Sequence, residues 1–241
     1  MRLKVYDLVD HTDGVNFSSF GWRVRLCLKH KDLLFEKVDL TFHQIQTEIP
    51  KISNNKWKLT PLLVDDDEVV ANSRDIAEYL EDKYSDRPLL FPNGKEYSFF
   101  LENYISTHMG KLFNLCVLHI YDNLHGEDKV YFKNLRETQF NKPLEQIAEE
   151  PGPIYLQIFN ALKPFISTLK TYKYLEGETV TYSDYLLFGT LQWVRILAPI
   201  HFDNIIGMEA QASEDTPVLL AWFNSIAHLY SEYANDTPIY H

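Results

Sequence analysis

Only two cysteines are present, Cys27 and Cys116, with no CxxC pair, so neither a disulfide framework nor a cysteine zinc site is suggested. The nine histidines show no HExxH or comparable ligand spacing, which leaves them as surface or core residues, and no metal is expected. No uninterrupted apolar run approaches the ~18 residues a membrane-crossing helix needs. The charged, alternating start "MRLKVYDLVD" has no signal-peptide core, so a cytoplasmic protein is expected. Basic excess is missing too: 23 Lys and Arg against 34 Asp and Glu give a formal charge of −11, which disfavours a nucleic-acid backbone binder. There is no phosphate-binding loop, no repeat of 20 to 50 residues and no low-complexity tract.

What is present is a chain of 241 residues, 45% hydrophobic, able to bury a sizeable core as one large domain or two small ones. "RLKVYDL" and "LFEKVDL" carry strand patterns, and between them Trp22, Leu26 and Cys27 share a helical face. On that helix Arg23, Arg25, Lys29 and Lys31 read as a solvated face. After an irregular stretch, "TPLLVDDDEVVAN" reads as two short strands joined by an acidic turn at Asp65 to Glu68. Ile76, Ala77, Leu80 and Tyr84 then give a helical stripe. The order βαβ, irregular stretch, ββα predicts a small sheet covered by helices.

The signals change at "SDRPLLFPNGK", a natural linker. Beyond it "EYSFFLENYISTHMGKLFNLCVLHIYDNL" and "YLQIFNALKPFISTLKTY" are helical, with Pro143, Pro151, Gly152 and Pro153 between them. A boundary is therefore expected near residue 90, giving an α/β domain over 1–90 and an all-α domain over 91–241. Thr181 with Asp184 three residues on is an acidic variant of a capping box, and Val180 can staple to Tyr185; both predict a central helix with a structural role.

Taken together, these features resemble a soluble glutathione transferase over essentially the whole chain: a thioredoxin-like βαβ-ββα domain, a linker and a helical domain with a Thr-x-x-Asp cap. "SSFGWRVRLCLKHK" is similar to the serine-type active-site segment. "LTPLLVDDDEVVANSRDIAEYLEDKYSDRPLLFP" is similar to the segment that binds the γ-glutamyl end of glutathione, and with "YSDYLLFGTLQW" it most resembles bacterial β-aryl etherases and fungal etherase-like transferases. The resemblance implies that Ser18 is the catalytic serine, donating a hydrogen bond to the glutathione sulfur, with Ser19 beside it. It implies that Pro61 is the cis-proline, that Thr60 lends its backbone to the cysteinyl part, and that Ser73 takes the γ-glutamyl carboxylate. Many relatives carry an acidic residue where this chain has the neutral Asn72. Residue 73 also opens an amphipathic helix, where unpaired N–H groups attract a carboxylate, and Asn and Ser are equally ordinary helix caps.

A serine at the start of a helix can present an O–H donor and the positive dipole end to a thiolate. Lowering a thiol pKa of ~8.5 by about two units raises the thiolate at pH 7 roughly 25-fold, and a Brønsted slope of ~0.45 returns about eightfold of that. Most of the acceleration must then come from holding an electrophile against the sulfur. Candidates for that site are Phe17, Phe20, Met109, Phe113 and Trp193, all residue types equally at home in a core. The expected activity is a glutathione transferase consuming glutathione as co-substrate and acting on hydrophobic aromatic electrophiles, with cleavage of α-keto β-aryl ethers as the finer expectation. The alternatives are a carrier of hydrophobic aromatics with little turnover, and a scaffold that has lost activity. A homodimer without nucleic acid or membrane partners is expected. Neither cysteine sits at the serine position, which disfavours a cysteine-type reductase; Cys27 reads as packed and inert.

Overall fold

The computed structural model of the chain describes residues 3–212, 216–230 and 238–240. Its strands and helices follow the order β1 (Leu3–Leu8), α1 (Ser19–His30), β2 (Phe35–Leu40), α2 (Phe42–Ile52), β3 (Leu62–Asp65), β4 (Glu68–Ala71) and α3 (Ser73–Lys83). Arg2, included in the first expected strand, lies outside the described residues. The helices α4 (Lys95–Met109), α5 (Leu112–Asn123), α6 (Gly126–Phe140), α7 (Leu144–Ile147), α8 (Pro151–Leu169), α9 (Tyr182–Leu197), α10 (Pro199–Ala212) and α11 (Leu219–Leu229) complete it. A mixed β/α thioredoxin-like domain is thus followed by an all-helical one. Among the described residues no helix is long and apolar enough to cross a membrane.

The sheet has strand order β2-β1-β3-β4, with β1 parallel to β2 and antiparallel to β3, and β3 antiparallel to β4. Alternation sorts its side chains. Tyr6, Leu8, Val38, Leu62 and Val64 pack with Ile45, Ile49 and Ile52 of α2 on one face. Leu3, Val5 and Leu63 point to the other and are buried, as are Ile76, Ala77 and Leu80 of α3. The acidic turn closes where expected, with Asp65 paired to Glu68 across the hairpin.

Two expectations for this sheet-bearing part fail. The stretch after β2 is not irregular: it is α2, begun by a capping box in which the Thr41 N–H donates to Gln44 Oε1 at 2.9 Å and the Gln44 N–H to Thr41 Oγ1 at 3.5 Å. Pro50 lies in the last turn of this helix, which ends at Ile52, and forgoes the one bond that an N–H at that position would have made to Gln46.

Nor do the cations of α1 form a solvated face, since Arg23, Arg25 and Lys31 are all buried and only Lys29 is exposed. Arg25 Nε lies 3.1 Å from Asp7 Oδ2, and its guanidinium stacks 4.0 Å from the Trp22 ring. The Lys31 ammonium meets Glu81 at 2.5 Å and donates to the Tyr84 carbonyl at 3.2 Å. A buried charge needs a partner, and here both are supplied from outside the helix. Asp7 also explains Gly21: a Cβ there would lie 2.0 Å from Asp7 Oδ1, so the carboxylate takes the place of a side chain.

The chain divides into two compact units. One holds the residues up to Leu90 together with Tyr121–Asn141, which carries α6; the other holds Phe91–Ile120 and the residues from Lys142 onward. In the first, α6 packs on α2. In the second, α9 is buried on nearly every side, with α4 and α10 packed against it. The long helical pattern from residue 96 breaks at Gly110, a poor helix former, into α4 and α5. Pro151 opens α8 at a position where its missing N–H costs nothing.

The expected cap of α9 is present and extends further than two residues. Asp184 Oδ2 accepts the Thr181 N–H at 2.9 Å, while Oδ1 accepts the Leu175 N–H at 3.0 Å and the indole N–H of Trp222 at 2.9 Å. The Thr181 hydroxyl has one proton to give and lies closer to Glu176 (3.0 Å) than to Asp184 (3.3 Å).

Candidate active site

Ser18 is the N-cap of α1, with extended backbone, and its Oγ accepts the Gly21 N–H at 3.1 Å. A serine hydroxyl has two lone pairs and one proton, so accepting that bond leaves the O–H able to donate outward. No acidic residue of α1 itself lies in its first turn, while Lys29 and His30 sit in the last. Ser18 and Ser19 are both half-buried, at the surface of the sheet-bearing unit.

The Thr60–Pro61 peptide is cis and leads into β3, the neighbour of β1, with Pro61 buried and Thr60 half-buried. Asn72 caps α3 with φ of 73°, in the left-handed region that Asn tolerates better than most residues, and its Oδ1 accepts the Arg74 N–H at 3.4 Å. Ser73 follows as the first residue of α3. It is 1% exposed, and its hydroxyl has no hydrogen-bond partner among the described residues. A buried hydroxyl left unpaired costs free energy unless a ligand completes it, and this one stands at the positive end of a helix dipole. All six of these residues belong to one compact unit, at two helix starts and a strand entrance.

The five aromatic and thioether candidates divide. Phe17 is 3% exposed and its ring packs 6.2 Å from that of Phe42. Phe20 is 49% exposed, with the Arg23 guanidinium 4.6 Å from its ring centre. In the second unit Met109 is buried, while Phe113 and Trp193 are half-buried.

Cys27 and Cys116 are both fully buried, and burial pushes each thiol far above its ordinary pKa, which suits packing and not nucleophilic attack. Among the described residues no three His, Cys, Asp or Glu side chains are placed to hold a metal ion.

Residues 17–83 match the family model of the glutathione S-transferase N-terminal domain and residues 97–206 that of its C-terminal domain. A glutathione S-transferase 1 from Dianthus caryophyllus is 31% identical over 117 residues, 47% of this chain and 53% of the relative. A zeta class glutathione S-transferase from Euphorbia esula is 34% identical over 119 residues, 47% of this chain and 52% of the relative. The chain thus spans about half the length of the curated relatives it matches. In fold it is similar to glutathione transferase GSTFuA2 from Phanerochaete chrysosporium, with a TM-score of 0.82, 21% identity and coverage of 95% of this chain and 98% of the other. It is also similar to CsGST83044 of Ceriporiopsis subvermispora, solved in complex with glutathione, with a TM-score of 0.75, 16% identity and coverage of 97% and 99%. With two family models matched in the family's own order, N-terminal domain before C-terminal, the chain belongs to the glutathione transferase superfamily.

Proposed function

We propose that this chain is a serine-type glutathione transferase, in which the Ser18 hydroxyl donates a hydrogen bond to the glutathione thiolate at the start of α1. The observation that carries the reading is the buried Ser73 hydroxyl, without a partner at the first turn of α3. A γ-glutamyl carboxylate there would accept from Ser73 Oγ, completing the hydroxyl, and would sit at the positive end of the α3 dipole. Thr60, beside Pro61, would offer its backbone to the cysteinyl part, and Ser19 an N–H next to the sulfur. Asn72 presents a neutral amide to the ligand's ammonium, so this chain holds the γ-glutamyl end without a formal charge at that position.

Ser73→Ala is expected to raise the glutathione KM roughly tenfold with kcat within about twofold, because it removes binding common to ground and transition states. An unchanged KM would return Ser73 to a purely helix-forming role.

The second substrate is proposed to be a hydrophobic aromatic electrophile, with Phe20 the exposed aromatic nearest Ser18 in sequence. The finer reading is an α-keto β-aryl ether. The carbonyl makes the adjacent carbon electrophilic; a carbon–sulfur bond forms there as the carbon–oxygen bond breaks, and a phenolate leaves with the electron pair. With glutathione and a keto aryl ether the protein should release a phenol and leave a glutathione thioether, and the alcohol analogue should react far more slowly. Conjugation of simple aromatic electrophiles without phenol release would make it a general conjugating transferase. Tight aromatic binding with no product in either assay would make it a carrier. A homodimer is proposed with this activity.

A further inference from the structure

Helix α6 lies far along the chain from Ser18, yet its contacts lead back to that residue. The polar ones hold the start of α2: Asp128 Oδ1 accepts the His43 N–H at 2.6 Å, and Glu127 Oε2 lies 3.4 Å from His43 Nε2. An anionic side chain at the first turn of a helix satisfies an unpaired N–H and favours the dipole. The apolar contacts form a row of rings. Phe132, fully buried on α6, packs 5.6 Å from Phe42, the first residue of α2, with Tyr131 6.3 Å away on the same ring. Phe42 in turn packs 6.2 Å from Phe17, which directly precedes Ser18 in the chain.

The segment entering α1 is therefore held from two directions. The Asn16 amide donates to the Leu8 carbonyl at 3.2 Å and to Asp39 Oδ1 at 2.9 Å, tying it to the sheet. Phe17 ties it to α2 and, through Phe42, to α6. Removing the outermost ring of such a row leaves a cavity that neighbouring rings relax into only in part. A displacement of about 1 Å at Ser18 is enough to spoil a hydrogen bond to a sulfur and the alignment of the attacking atom.

We propose that Phe132 is a positioning residue for Ser18, acting through Phe42 and Phe17, so that α6 governs how well the serine hydroxyl meets the glutathione sulfur. The inference rests on the reading of Ser18 given above. It separates two properties: Ser73 opens α3 and Asn72 caps it, outside this row of rings, so glutathione affinity should survive a change at Phe132 while thiolate stabilisation should not.

The test compares the wild-type protein with Ser18→Ala, Phe132→Leu and Phe132→Ala. The ultraviolet absorbance of the bound thiolate is followed against pH, and kcat and KM are measured with glutathione and a simple aromatic electrophile. The thiol pKa should rise in the order wild type, Phe132→Leu, Phe132→Ala. Over the same order kcat should fall, roughly threefold for leucine and roughly tenfold for alanine, with the glutathione KM within about twofold. Amide exchange at residues 18–22 should quicken in the same order without ligand. If Phe132→Ala does not fold, Phe132→Leu alone decides, since it keeps an apolar side chain in the core. Wild-type titration and kcat in the folded Phe132 variants would overturn the inference, as would a loss expressed wholly in KM. If Ser18→Ala shifts the titration and neither Phe132 variant does, only the positioning role falls. If Ser18→Ala leaves the titration unmoved, the serine reading falls and takes this inference with it.

Discussion

Asp184→Ala is expected to destabilise the helical unit by about 3–5 kcal/mol, a large share of the stability of an ordinary domain. The carboxylate is fully buried and accepts from the Leu175 and Thr181 amides and the Trp222 indole. Alanine leaves three buried N–H donors without an acceptor. It also unties Trp222 on α11 from the start of α9.

Burial pushes the Asp184 carboxyl up to about 6, against hydrogen bonds that pull it down. Its folded value therefore lies above the ordinary 3.8, and between the two the folded state binds the proton more tightly. Stability carried by this group is full below that window and is lost as pH rises through it, so the deficit of Asp184→Ala relative to wild type should be larger at pH 5 than at pH 7. Urea denaturation at both pH values checks this, and a deficit below about 1 kcal/mol, or one that grows with pH, would refute the account.

Arg25→Met is expected to cost about 3–5 kcal/mol at neutral pH, because it leaves the fully buried Asp7 without the guanidinium that faces it. Burial already holds the Asp7 carboxyl above its ordinary range, with Arg25 pulling the other way. Without Arg25 it rises further, and by the same sign argument the variant should recover stability on acidification. The double variant Asp7→Leu with Arg25→Met removes both charges and should regain most of the loss, since an apolar pair of similar volume often replaces a buried ion pair at little cost. A single-variant deficit of less than about 1 kcal/mol in thermal or urea unfolding would mean that water reaches the pair.

These residues also mark how far the sequence could be read. The sheet, its hairpin, α1, α3 and the cap of α9 all announce themselves locally, by alternation, by a helical stripe or by a Thr-x-x-Asp spacing. The burial of Arg25 and Lys31 does not, because their partners Asp7 and Glu81 come from other elements and a helical pattern carries no record of them. Helix α2 also left a local signal: Thr41 and Gln44 stand at capping-box spacing ahead of Ile45, Ile49 and Ile52.

The site divides the same way. That Ser18 begins a helix is legible from "NFSSFGW", and Ser73 stands at the head of a visible stripe. The missing partner of the Ser73 hydroxyl is visible only once the fold is in hand, and so is the row of rings behind Phe17, which joins three elements distant in sequence.

The return of Tyr121–Asn141 to the sheet-bearing unit bears on how the chain is made. On a ribosome the sheet and its first three helices emerge before α6 exists, so Phe42 meets water or a chaperone instead of Phe132. At ~5–20 residues per second the covering helix follows Leu90 by several seconds, long compared with the time a small sheet needs to collapse. Over that interval the nascent unit carries an uncovered aromatic face at the start of α2, and it closes only after part of the helical unit has also been synthesised.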